Sequence, residues 1–332
     1  MDARSLHYRR RSWLLAPLGL ALGCRGTGPS RPRVRIAIFR GEEFTPLAGA
    51  LGHFEAEGLD VEINEVASTS KAMQALFGGS ADVVTGGFDH AVHLAAEGRQ
   101  ARAFLVLTTR SPLALVASPR SPHIRRVEDL KGATVGISAF GSSGQHFVAH
   151  LLARHGLGAQ DVKFAVTGGG HAVTVASLEH GELDAIVTLP ASLAMLRARI
   201  PNLAILADAM SAEGSRHIFG VDQYPGVAMM AQAQWMAGHR GTVMRLARAM
   251  TRTLGWVRAH SPEELRRGLR GRAGSPPGEL EGLRATIAAC SPDGAMPAGG
   301  AEAVRDALAA SYPGIRSLDL TGTYTGEFLP LK

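Results

Sequence analysis

Four short loops carry the groups that could grip a small polar ligand. Ser138-Ala139-Phe140-Gly141-Ser142-Ser143-Gly144 offers three hydroxyls on a glycine-rich backbone. Ser68-Thr69-Ser70 offers three more, and Gly86-Gly87-Phe88-Asp89 pairs a permissive backbone with an acid. The stretch from Arg40 to Thr45 adds a cation, and Arg110 is a second candidate. Thr188 ends a further apolar run, just before Leu189-Pro190. Hydroxyls and free backbone N–H groups at the start of a helix favour an anion or a carbonyl oxygen. The same serines also suit plain helix capping, and the same glycines suit plain turns. Phe88 and Phe140 could sandwich an apolar part of the ligand from two sides, or could both be core.

Chemistry of other kinds finds less support. His90 and His93 are three residues apart, and His146 and His150 are four apart, which is metal-ligand spacing on a helix. Neither pair has the acidic companion of a zinc motif, since His146-Phe147-Val148-Ala149-His150 lacks a Glu after the first His. With 13 His in the chain, such pairs arise by chance, and no metal site or cofactor is expected. Gly168-Gly169-Gly170-His171 lacks the Lys-Ser/Thr of a phosphate loop and reads as a loop at a strand end that could line the cleft. No G-x-S-x-G elbow is present, so a serine nucleophile has no anchor.

The elements that must position these loops alternate. Val34 to Ile38 and Val61 to Val66 read as strands, with a helix over 47–57 between them that Gly58 stops. Ser68 to Ser70 would cap the helix from Lys71, and Val83-Val84-Thr85 is the next strand. Phe104–Leu107 and Leu113–Val116 follow. A second series opens at Thr134–Ile137 and runs through a helix over 145–155, a strand over 163–166, a helix over 172–179 and a strand over 185–188. This rhythm implies βαβ units and largely parallel sheets. Leu76-Phe77-Gly78-Gly79-Ser80-Ala81-Asp82 and Leu178-Glu179-His180-Gly181-Glu182-Leu183-Asp184 share the pattern L-x-x-G-x-x-D before an apolar strand. The repeat predicts two similar lobes with a cleft between them. It places Asp82 and Asp184 at strand starts, away from the ligand.

The expected organisation is a first lobe over 33–117, a second over 118–220, and a return to the first over 221–332. Crossings near 111–119 and 220–225 would form a hinge. Val227–Ala231 is the returning strand, and the helices after it would cover the first lobe. Cys290 reads as a small buried hydrophobe.

The 332 residues are 45% apolar with a net charge of +6. Without residues 1–23 the balance is 31 basic against 28 acidic, and the arginines are scattered. That excludes a nucleic-acid surface as a reading of charge. Arg9-Arg10-Arg11, the apolar run Trp13–Leu22 and then Ala21-Leu22-Gly23-Cys24 resemble a lipoprotein export signal. Residues 1–23 would be the signal peptide, Cys24 the lipidated residue, and 24–32 a tether. Arg10-Arg11-Ser12-Trp13-Leu14 also resembles a twin-arginine signal.

The order of motifs resembles the periplasmic solute-binding proteins of nitrate, sulfonate and taurine ABC transporters, a clamshell family shared with thiamine-precursor synthesis proteins. Five stretches carry the likeness: Phe54–Glu62, Val127–Gly132, Gly141–Gly144, the segment ending at Asp184-Ala185, and Thr323–Phe328. The likeness covers nearly all of 33–332. It implies a two-lobed α/β clamshell, each lobe a mostly parallel sheet flanked by helices, that hands a small anionic or polar organic solute to an ABC permease in the inner membrane. The protein would be a membrane-anchored monomer on the periplasmic or cell-surface side, and not an enzyme. Where relatives often carry Asp before Pro190, this chain has Leu189. The alternative is an enzyme of the same fold acting on a thiamine-precursor pyrimidine. It would need a reactive lysine in the cleft, and Lys71, the nearest, reads as solvent-facing.

Overall fold

The structure, a computed structural model, describes residues 31–168, 170–269 and 278–330. The signal segment, Cys24 and most of the tether lie outside the described residues, as does Gly169.

The first half of the chain runs β1 (Arg33–Phe39), α1 (Phe44–Ala50), α2 (His53–Ala56), β2 (Asp60–Val66), α3 (Thr69–Phe77), β3 (Val83–Gly87), α4 (Asp89–Ala96), β4 (Ala101–Val106) and β5 (Ala114–Ala117). A second series follows: β6 (Thr134–Ile137), α5 (Ser143–Arg154), β7 (Lys163–Val166), α6 (His171–His180), β8 (Ala185–Thr188), α7 (Pro190–Arg199), β9 (Ile205–Asp208) and α8 (Ala212–Phe219). The chain then returns through β10 (Val227–Gln232), α9 (Ala233–Gly238), α10 (Arg240–Ala259), α11 (Pro262–Gly268), α12 (Glu279–Ala289) and α13 (Gly300–Leu308).

The strands form two five-stranded sheets, ordered β2-β1-β3-β10-β4 and β7-β6-β8-β5-β9. Each sheet is parallel apart from its fourth strand, β10 in one and β5 in the other, which runs antiparallel to both neighbours. Both fourth strands enter from the opposite lobe. The expected boundary at residue 117 is therefore corrected: β5 pairs with β8 and β9 and belongs to the second sheet. An apolar run such as Leu113–Val116 suits any buried strand, so its composition could not choose a sheet.

The crossings accordingly lie over 107–113 and 220–226, and they are bonded to one another. Tyr224 N donates to Thr109 O at 2.8 Å, and Gly226 N donates to Thr108 O at 3.0 Å. A Cβ at Gly226 would overlap Arg110 O, so this close approach of two backbones requires glycine.

Period-two alternation places Val34, Ile36 and Ile38 of β1 against α1 and α10 on one face, while Ala37 joins Ala72, Val84 and Phe88 on the other. The second sheet is likewise buried on both faces, with Leu115 and Val135 on one side and Val116 and Ile186 on the other. Cys290 is buried, and burial pushes its thiol up to about 12. The C-terminal helices do not all cover the first lobe. Gly278, just before α12, and Gly282 within it sit against Ala194 and Ala191 of α7 in the second lobe, close enough that a side chain at either would clash. Among the described residues, no helix is long and apolar enough to cross a membrane.

Candidate ligand-binding cleft

Parallel strands point their carboxyl ends the same way, so the loops after β1, β2 and β3 gather at one edge of the first lobe. The loops after β6, β7 and β8 gather at the facing edge of the second. A cavity of about 120 Å³ lies between them. Ser68 and Thr69 at the start of α3 line it, as do Ser142, Ser143 and Gly144 at α5, Gly170 and His171 at α6, and Thr188 and Leu189 at α7. Four helix N-termini thus open on one space, and Phe39, Leu113, Val187 and Phe147 supply apolar wall.

The local sequence explains each terminus. Ser68 has extended backbone and its hydroxyl accepts from Lys71 N at 3.3 Å; Ser142 does the same for Gln145 N at 3.3 Å. A capping serine spends lone pairs, and its own O–H is still able to donate. Gly170 precedes α6 at φ 104, a backbone that glycine adopts without strain, and Pro190 opens α7 where no N–H is needed.

Of the residues picked out by type and spacing, Arg40, Ser68, Thr69, Gly87, Asp89, Ser138, Ser142, Ser143, Gly144 and Thr188 line the cavity. Arg40 stands at the Gly170 side and its Nε donates to Glu65 Oε1 at 3.2 Å. Arg110 is turned away, donating to Ala288 O at 2.7 Å. Ser70 lies at the exposed rim, where its hydroxyl donates to Phe140 O at 3.2 Å. Gly86 is behind the wall, under the Thr69 methyl.

The expected aromatic sandwich is corrected. Phe88 is fully buried and meets Tyr324 edge-on at 6.2 Å, whereas Phe140 is 63% exposed. The reason is local. Phe88 abuts α4 directly, so its ring joins that helix's core contacts with Ala91 and Val92. The Phe140 loop turns out through Gly141 at φ 68.

Asp89 does more than its place in a loop suggested. It is buried at the first turn of α4 and meets donors from the other lobe. Ser143 Oγ donates to Asp89 Oδ1 at 2.7 Å, and His146 Nδ1 lies 2.6 Å from Oδ2. His90 Nδ1 stands 3.3 Å from Oδ1. Burial alone would raise the Asp89 pKa, but the charge of His90 and the hydrogen bonds from His146 and His90 hold it well below the usual carboxylate range. Burial likewise opposes the charge on His90, and the adjacent carboxylate outweighs it, so His90 is raised. His93 is lowered, chiefly by burial and then by the charge of His146. The set is not a nucleophile's. In a Ser–His–Asp triad the imidazole bridges hydroxyl and acid through its two nitrogens; here the one nitrogen His90 Nδ1 faces both Asp89 and Ser143, the latter at 3.4 Å, and the carboxylate takes the Ser143 hydrogen bond directly. Among the described residues no three His, Cys, Asp or Glu side chains are grouped to hold a metal ion.

Sequence reasoning passed over His146 as a partner of Asp89. The loop ending at His171, expected at a strand end where it could line the cleft, contributes Gly170 and His171 to the cavity wall, and His171 Nδ1 lies 2.6 Å from Ser192 Oγ. Spacing on one helix cannot reveal a partner 57 residues away.

Two matched α/β lobes, joined by two crossings around a polar cleft, define the ligand-binding clamshell class. The family model described as NMT1/THI5 like matches residues 44–264. A protein of solved structure from Bordetella bronchiseptica RB50 is 31% identical, over 90% of this chain and 96% of that one, with TM-score 0.82. The alkanesulfonate-binding protein SsuA from Xanthomonas axonopodis pv. citri, bound to MOPS, is 18% identical over 88% of this chain and 96% of that one, with TM-score 0.70. The periplasmic nitrate-binding protein NrtA from Synechocystis PCC 6803 is 15% identical over 72% of this chain and 66% of that one, with TM-score 0.58. The search of curated proteins found no match. The chain belongs to the NMT1/THI5-like family.

Proposed function

We propose that this protein is the extracytoplasmic solute-binding receptor of an ABC importer. One observation carries the reading: the polar cleft between the lobes is lined by four helix N-termini and their hydroxyls, in a chain of this family. Such a cleft suits a small solute with a compact oxyanion or carbonyl head, and the apolar wall suits an organic body. The sulfonate- and nitrate-binding proteins of the same fold support that class. The receptor acts as a monomer, carries its lipid on Cys24 after export, and passes the solute to an inner-membrane permease.

The test is a thermal-shift panel of nitrate, small sulfonates, taurine, aromatic acids and pyrimidines. A cognate solute at 100 times its Kd stabilises the fold by about 2.7 kcal/mol through mass action. Ser142→Ala should weaken that solute's binding, and unchanged affinity would remove Ser142 from the site. Release of the Cys24→Ser protein into the soluble fraction supports the anchor, and continued membrane retention counts against it. Turnover of a pyrimidine without binding of any solute would favour the family's biosynthetic alternative. Lys71, the lysine considered for that chemistry, is exposed and donates to Gln74 Oε1 at 3.0 Å.

A further inference from the structure

We propose that Asp89 is a cross-lobe latch: its carboxylate, held by Ser143 and His146, closes α5 of the second lobe onto α4 of the first and sets how firmly the cleft stays shut. The inference rests on the receptor reading, since a latch matters only where lobes open.

Asp89 begins the helix after β3, whereas Ser143 and His146 lie on the first turn of the helix after β6. Rotation of one lobe away from the other separates the carboxylate from both donors and leaves only its neighbour His90. The closed contact is dry, with Asp89, His90 and His146 all over nine-tenths buried. Hydrogen bonds to an ionised carboxylate in such a site are about twice as strong as those between neutral groups. Asp89, Ser143 and His146 themselves line the cavity, so the latch positions the cleft-lining N-terminus of α5 from within the cleft wall. Gly87 makes room for it, because a Cβ there would overlap both Asp89 Oδ1 and Ser143 Oγ.

The other titratable groups around the latch come from α4, α5, the second crossing, the segment carrying Tyr312, and α13. His93 on α4 pairs with Glu97 at 3.2 Å and lies against Tyr312 at 4.4 Å and His146 at 5.4 Å. His150 and Arg154 on α5 turn to Ile218 O instead. Tyr224 comes from the second crossing, and burial raises it well above the ordinary phenol range, so it stays neutral. On α13, Glu302 and Asp306 are exposed and Ala303 and Leu308 are buried. His90 is thus the cation beside Asp89 within its own lobe. It stays beside the carboxylate whether the lobes are open or closed, so the contacts that closure adds to Asp89 are those of Ser143 and His146.

The experiment measures the lobes directly, without a solute. Spin labels are placed at Glu55→Cys and Arg125→Cys, exposed sites on the two lobes, in a Cys24→Ser background. Pulsed-resonance distances are then recorded at neutral pH. The parent should show mainly the short distance. Asp89→Asn and His146→Gln should each lower the closed-to-open ratio about tenfold, and the double variant should go little further, as coupled partners do. Ser143→Ala should have a smaller effect and His150→Gln none. An Asp89→Asn protein with the parent's distances overturns the latch. If Asp89→Asn fails to fold by circular dichroism, Ser143→Ala decides, and parent distances there overturn it. The receptor reading fails separately, if the lobes respond as described yet no solute in the panel raises the melting temperature.

Discussion

Asp82 Oδ2 accepts from the Arg35 amide at 2.9 Å, and Asp184 Oδ2 accepts from the Thr134 amide at 2.8 Å. Each aspartate also returns its own N–H, to Arg35 O and Thr134 O respectively, both at 2.9 Å. The two copies of L-x-x-G-x-x-D are therefore one device used twice, locking the start of β3 to β1 and the start of β8 to β6. At the other ends of those strands the lobes part company. β3 leads through Gly87 and Phe88 into the buried Asp89, while β8 leads through Thr188 into Leu189 and Pro190. Strand starts are held alike because both sheets need the same closure. Strand ends differ because they meet the cleft, and one acid there serves both lobes.

The comparison breaks most visibly at two phenylalanines in loops that follow strands, Phe88 after β3 in one lobe and Phe140 after β6 in the other. Phe88→Ala should cost about 3–5 kcal/mol by leaving a cavity in a filled core. Urea denaturation checks it, and a loss under about 1 kcal/mol would mean that the ring is not packed as described. Gly87→Ala should cost about 1–3 kcal/mol through forced displacement of neighbours, and should open the lobes as Asp89→Asn does. Parent-like stability and lobe distance would show the contact to be slack.

Asp82→Ala and Asp184→Ala should each lose about 1–3 kcal/mol, because an amide at the head of a strand is left without its acceptor. Similar losses sharpen the idea of a repeated device, and a loss at only one site breaks it. Both carboxylates also bear on pH. Burial opposes the charge on Asp82, and bonds from the Arg35 side chain and amide overcome it; bonds from Ser121 and the Thr134 amide lower Asp184. Their stabilisation is full above the unfolded carboxylate pKa of about 3.9 and is lost as pH falls through the lower folded values. Acid melts of the Asp→Ala proteins should accordingly be flatter than the parent's. Phe140→Ala, at the exposed rim, should change stability by no more than about 0.5 kcal/mol. A larger loss would mean that the ring is buried in the native state.

Much was legible without coordinates because it depends on neighbours in sequence. The alternation of β1, the capping serines 68 and 142, the glycine stop at Gly58 and the repeated L-x-x-G-x-x-D are all local patterns of period, cap and turn. They mark most of the strands and several of the helices, and show that there are two of each unit; the helix expected over 47–57 is instead broken at Gly52, φ 69, into α1 and α2, and α4, α7, β9 and α8 are not among the elements they mark. The Ser-rich and Gly-rich loops follow from that, since loops after parallel strands must collect at one edge. What only the folded chain decides is which distant surfaces meet. β5 joins the second sheet, α12 reaches across to α7, Phe88 turns inward, and Asp89 finds Ser143 and His146 more than 50 positions away. Those pairings exchange water for partners inside a buried interface, and no local pattern of residue types encodes which partner will be waiting there.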